Sequence, residues 1–129
     1  MNEAAYRRIL LVGALWNLLG GTFILAATGW IFSSANLPVP SPSEYYYSWI
    51  ALFMTFGLGY YLAYKDMYRN RDIVLLGAIG KLAFAAIFLY GFATHAPIPL
   101  FFLIPTVGDV VFAVLYLMFV RFAARKGIS

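Results

Sequence analysis

The chain has no cysteine and one histidine, and charged residues make up only 11% of it. Without cysteine there are no disulfides, thiolate nucleophiles or thiolate metal sites. The single histidine, His95, lies between Thr94 and Pro97 with no other ligand nearby, so it reads as an exposed turn residue rather than a metal ligand. No glycine-rich phosphate turn is present, because Gly77 to Gly80 falls inside an apolar run instead of joining a strand to a helix. There is no internal repeat or low-complexity tract, and nothing implies a cofactor. The scarcity of charge excludes most: soluble domains carry about 25% charged and about 45–50% apolar residues, whereas 64% of this chain is hydrophobic. A soluble core cannot absorb that excess, so a bilayer must be the solvent for much of the chain.

Four apolar runs approach or exceed the ~20 residues needed to cross a membrane. They are Ile9–Phe32, Trp49–Tyr64, Ile73–Ala93 and Ile98–Val120. The second is short and is extended by the preceding tyrosines into a span over 46–64. Long, uniformly apolar segments suit helices rather than alternating barrel strands. The expected fold is therefore all-α: one domain over residues 1–129, an integral membrane bundle of four transmembrane helices in up-down-up-down order, with spans 9–32, 46–64, 73–93 and 98–120. The first run is longer than the 7–15 residues of a signal-peptide core and reads as an anchor.

Charge placement sets the expected orientation. Arg7 and Arg8 precede the first span; Lys65, Arg69 and Arg71 separate the second from the third; Arg121, Arg125 and Lys126 follow the fourth. The other two connections carry no Lys or Arg, which places both termini in the cytoplasm by the positive-inside rule. The expected location is a bacterial inner membrane. Anionic lipid headgroups are the expected partners of these clusters, each basic residue gaining about 1 kcal/mol there. Short basic clusters that hug the membrane do not make a nucleic-acid site. Trp30, Tyr45, Tyr46, Tyr47 and Trp49 are read as an outer aromatic belt, and Tyr6, Tyr64 and Tyr68 as an inner one. Tyr60 and Tyr61 fall a turn inside it, as belt or packing residues within reach of the layer below.

Lys81 and Asp109 stand out, since ionisable residues inside a span are rare and are candidate functional residues. Each is fourteen positions from His95, so a hairpin turning there brings them to one depth. At a rise of about 1.5 Å per residue, Asn17 and Lys81 lie roughly 13 Å from their boundary charges, Thr55 roughly 15 Å and Asp109 roughly 18 Å. All four converge on the layer near the midplane of a ~30 Å core. Small residues mark the contact faces: Gly13, Asn17 and Gly21; Gly77, Lys81 and Ala85; Thr106, Asp109, Ala113 and Tyr116; and a four-residue ridge of Ala51, Thr55, Gly59 and Ala63. Pro105, loosened by Gly108, is expected to kink the fourth helix beside Asp109 and open a small cavity.

Several roles fit this constellation. A Lys81–Asp109 ion pair with Asn17 as third member would fix helix register. A carrier would use Lys81 to attract an anion and Asp109 to move a proton. Either charge could instead pair with another subunit. A Schiff-base or general-base role for Lys81 lacks any supporting catalytic signature. The four-span layout and the stretch Gly77-Ala-Ile-Gly-Lys81 loosely resemble the small bacterial membrane proteins of the DoxX-like families; the resemblance is architectural and implies no activity. The favoured expectation is a non-enzymatic interaction or accessory subunit of a membrane assembly, partnered by its own copies or another membrane protein. The rival is an oligomeric small-molecule or proton-coupled carrier.

Overall fold

The computed structural model describes residues 1–126, which are all-helical apart from their connections. Its elements are α1 (Glu3–Ala26), α2 (Thr28–Ser34), α3 (Ser43–Lys65), α4 (Arg71–Ala93), a 3₁₀ turn at Leu100–Phe102, and α5 (Leu103–Arg125). Asn2 caps α1, its side chain accepting from the Ala5 N–H at 2.9 Å. Three helical segments, Glu3–Ala26, Arg71–Ala93 and Leu100–Arg125, are long and apolar enough to cross a membrane. With large apolar side chains such as Leu19, Leu52, Ile87 and Leu100 facing outward, they mark a membrane protein. Helix α3 has the length, at 23 residues, but its many tyrosines dilute its hydropathy and it is not among the three.

Contacts pair α1 with α3 and α4 with α5, while the α3–α4 seam is far looser than either pair. The start of α1 meets the end of α3 and the turn after it: Tyr68 donates to Glu3 Oε2 at 2.9 Å, and the Arg7 guanidinium lies 5.2 Å over the Tyr64 ring. Deeper, Gly57 of α3 lets the helices close, since a Cβ there would lie 2.9 Å from the Cβ of Asn17. At the far end Thr28 and Tyr46 share a hydrogen bond of 3.1 Å. Between α4 and α5 the turn pivots on His95, which is exposed and holds a left-handed φ of 60°.

Three local expectations change, and the direction of the α3 ridge, left open by the sequence, is decided. The first apolar run is not one helix: α1 stops at Ala26, where the Thr28 hydroxyl donates back to the Ile24 carbonyl at 2.7 Å and the chain restarts as α2. Pro105 is not in a helix interior. It occupies the first turn of α5, where its missing N–H leaves no intrahelical bond unmade, so it produces no mid-helix kink. The α3 ridge does not face inward along its length, because Ala51 and Thr55 are exposed, Gly59 is half-buried and only Ala63 is buried. Steps of four overshoot a 3.6-residue turn by about 40° each, so three steps carry Ala51 about 120° away from Ala63. The buried α3 face is Tyr46, Ile50, Gly57, Tyr60 and Ala63. The outer belt splits for a related reason: Tyr45 and Tyr47 are exposed, whereas Tyr46 is buried and Trp49 stacks on Phe84 at 5.5 Å.

Candidate functional site

Helix α4 carries Lys81 inward between the other three long helices. Its ammonium donates to Asp109 Oδ1 of α5 at 2.7 Å and to Asn17 Oδ1 of α1 at 3.0 Å. Asn17 Nδ2 donates in turn to the Phe53 carbonyl of α3 at 2.7 Å. One amide thus links α1, α3 and α4, and one ion pair links α4 to α5. The three side chains are 4%, 2% and 2% exposed for Lys81, Asp109 and Asn17, so the cluster is closed off on most sides. In hydrocarbon each lone charge would cost about 2.5–3.5 kcal/mol on insertion scales. Pairing at 2.7 Å cancels the net charge, and the Asn17 amide takes one further donor of the ammonium.

Aromatic faces complete the surroundings. The Lys81 nitrogen lies 5.5 Å from the ring centres of Phe53 and Tyr60 and 5.6 Å from that of Phe112. Ring quadrupoles attract a desolvated cation at such range. Tyr60 and Tyr116 meet at a tilt with ring centres 4.8 Å apart, and glycines make room for them. A Cβ on Gly77 would overlap the Tyr60 hydroxyl, and one on Gly13 would overlap the Tyr116 hydroxyl. The Tyr116 hydroxyl is buried without a hydrogen-bond partner, and the buried Trp16 indole N–H lies toward the Asp109 carboxylate, short of full hydrogen-bond geometry.

Of the residues expected in this layer, Asn17, Lys81 and Asp109 come together. Thr55 does not: it is exposed, and its hydroxyl is satisfied by the Ala51 carbonyl of its own helix at 2.8 Å. The same back-bonding occupies Thr22, Thr94 and Thr106, the usual solution where no water is at hand. Pro105 lies a turn above the cluster at the start of α5 and makes no part of it. Gly108 acts as a seat for another residue, since the Trp16 indole rests against its Cα. Tyr61 is exposed, whereas Tyr60 reaches Lys81.

No family model, curated protein or solved structure matches this chain.

Sequence reasoning missed Phe53 and Phe112 as members of the site, and it placed Tyr60 only within reach of the layer and Tyr116 only on the face of Asp109. One signal was available: Gly13, Tyr60, Gly77 and Tyr116 each lie five residues from Arg8, Lys65, Asp72 and Arg121 respectively. Two glycines and two tyrosines at one depth are a large-into-small packing layer.

A cavity of about 270 Å³ adjoins the cluster at the loose α3–α4 seam. Trp49, Phe53, Phe56 and Phe84 wall it, and Asn17, Lys81 and Asp109 lie at its floor. Its mouth is flanked by Leu52, Phe56 and Gly80, all exposed, so it opens sideways from the bundle. A second hollow of about 360 Å³ between Trp16, Phe23, Phe101 and Ile104 carries no charged residue in its lining.

Proposed function

We propose that the chain is a four-span integral membrane protein of up-down-up-down topology, with both termini cytoplasmic, that acts as a non-enzymatic subunit of a membrane assembly. The observation that carries the subunit reading is the outward face of α3. This least apolar of the long helices directs Ala51 and Thr55 away from its own bundle. Small residues on a lipid-facing helix let another helix approach closely, and polar tyrosine-rich surface is better covered by protein than by lipid tails. The internal ion pair supports the same reading: Lys81 and Asp109 satisfy one another within the chain and serve as a register lock. Four spans are supported by the pairing of α3 with α1, and by a length of about 35 Å at 1.5 Å per residue. The basic clusters gather at one end of the bundle, where Tyr6 packs on Phe122 at 4.9 Å and Tyr68 bonds Glu3. That end faces the cytoplasm of a bacterial inner membrane and its anionic headgroups.

Native mass spectrometry of the protein extracted in a disc of its own membrane tests the subunit reading. A stoichiometric second polypeptide, or a second copy, is expected, and Thr55→Trp should abolish it while Leu89→Trp on α4 leaves it intact. A monomer, or a complex indifferent to Thr55→Trp, overturns it. Because the chain has no native thiol, single cysteines at Ser41 and Arg69 report topology directly, and they should label from opposite sides.

The second reading is a small-molecule or proton-coupled carrier. The lateral cavity that ends on Lys81 and Asp109 favours it. If Asp109→Asn leaves uptake and its pH dependence unchanged in a folded protein, that reading fails.

A further inference from the structure

We infer that the α3–α4 cavity is a binding site for a neutral, lipid-soluble ring compound that presents a carbonyl oxygen to Lys81. Such binding requires neither an oligomer nor transport. Lys81 has three N–H groups; Asp109 and Asn17 take two. The third meets only ring faces, which attract the charge but accept no conventional hydrogen bond. A buried donor without an acceptor is costly, and an oxygen entering the cavity from the membrane would supply one.

The rest of the ligand follows from the walls. Charge is balanced at the floor by Asp109, so an anion would meet a carboxylate as well as an ammonium, and a cation would meet the ammonium first. Either would add an uncompensated charge to a low-dielectric site. A neutral acceptor adds none. The cavity sides are Trp49, Phe53, Phe56, Tyr60 and Phe84, flat surfaces that favour a ring by offset or edge contact. In size, a hollow of about 150 Å³ holds one benzene, so 270 Å³ admits one ring with a substituent, or two rings held closely. Entry is through the exposed mouth at Leu52, Phe56 and Gly80, from the hydrocarbon phase rather than from water. The 360 Å³ hollow is an internal control: it is larger and also aromatic, but its lining has no ammonium.

Photolabelling with benzophenone tests this, because its reactive atom is the carbonyl itself. The protein in lipid discs would be irradiated with increasing benzophenone and the adducts mapped by peptide mass spectrometry. Saturable labelling within 53–60 and 77–84 is expected, competed by propiophenone about tenfold better than by propylbenzene, the ratio for one charge-assisted hydrogen bond. Gly80→Leu should remove it. A Cβ at Gly80 meets nothing within 4 Å, so that variant blocks the mouth without disturbing the packing. The apolar double variant Lys81→Met with Asp109→Leu should keep the cavity but lose the preference for the ketone. Labelling that does not saturate, that falls mainly on the Phe23–Phe101 hollow, or that survives Gly80→Leu overturns the site. Equal competition by ketone and hydrocarbon overturns the assigned role of Lys81.

Discussion

Replacing Asp109 by Leu leaves the Lys81 ammonium buried with one hydrogen bond, to Asn17 at 3.0 Å, and three ring faces. Breaking a buried pair from one side costs about 3–5 kcal/mol. The lysine has a second option, which is to lose its proton. From an ordinary value near 10.4, neutralising it at pH 7 costs about 4.6 kcal/mol at 1.36 kcal/mol per unit, and this caps the penalty. The rings and Asn17 offset part of the loss, so Asp109→Leu should cost about 3 kcal/mol at pH 7. Lys81→Met is capped at about 4.2 kcal/mol by protonation of the carboxylate from its ordinary 3.9. Its carboxylate gains nothing from ring faces and keeps only the Trp16 indole N–H beside it, so this variant should cost about 3–4 kcal/mol, at least as much as Asp109→Leu. Once the orphan is neutral, the signs of the pH dependence are opposite. At a cost of about 3 kcal/mol the lysine of Asp109→Leu gives up its proton only above roughly pH 8. From there the unfolded chain holds a proton that the folded chain lacks, so stability is flat near pH 7 and recovers above roughly pH 8, by about 1.4 kcal/mol per unit. In Lys81→Met the folded chain holds the extra proton, so stability recovers as pH falls toward the ordinary carboxylate value. The double variant Lys81→Met with Asp109→Leu should unfold within about 1 kcal/mol of the parent, since apolar replacement of a buried pair is near neutral. Reversible unfolding in mixed micelles between pH 5 and 9 measures all three. Flat pH profiles in both single variants, or a double variant no more stable than either, would refute the reasoning.

Exchanging the charges, Lys81→Asp with Asp109→Lys, is expected from charge alone to be tolerated. The structure alters that expectation: a carboxylate at position 81 would face the Phe53, Tyr60 and Phe112 rings and the oxygen of Asn17. The exchange should therefore cost about 1–3 kcal/mol more than the apolar double variant in the same unfolding assay. Tyr116→Phe removes a buried hydroxyl that has no partner, so it should leave stability unchanged or raise it by about 1 kcal/mol in thermal unfolding. Gly13→Ala puts its methyl against that same hydroxyl, costing about 1–3 kcal/mol by overpacking, and Tyr116→Phe should rescue most of the loss. Gly77→Leu, driven against the whole Tyr60 ring, should cost at least as much with no rescue from Tyr60→Phe, again read by unfolding midpoint.

Much of the fold was legible because the physics involved is local or periodic. Apolar run length, the scarcity of charge and the basic ends of the segments mark helices and the bilayer without any knowledge of packing. The equal spacing of Lys81 and Asp109 about His95 was enough to anticipate their meeting, since helix rise is constant and a hairpin conserves depth. The buried faces carrying Gly13 and Asn17, Gly77 and Lys81, and Thr106 and Asp109 were readable for the same reason.

Depth, however, is only one coordinate. Thr55 has the right depth and the wrong azimuth, and its exposure follows from the rotation of α3, which is set by Gly57 seating against Asn17. Pro105 was misplaced because hydropathy does not mark where a helix begins: Pro99 and the 3₁₀ turn delay the start of α5 to Leu103. The aromatic ring around Lys81 joins residues from α3 and α5, and the cavity exists because α3 and α4 stay apart while each packs closely on another helix. The sequence by itself determined that this chain belongs in a membrane, which stretches are helical and which two buried charges share a depth. Only the tertiary structure decided which side chains close over that pair and which side of the bundle stays open, because azimuth and helix spacing arise from contacts between residues far apart in the chain.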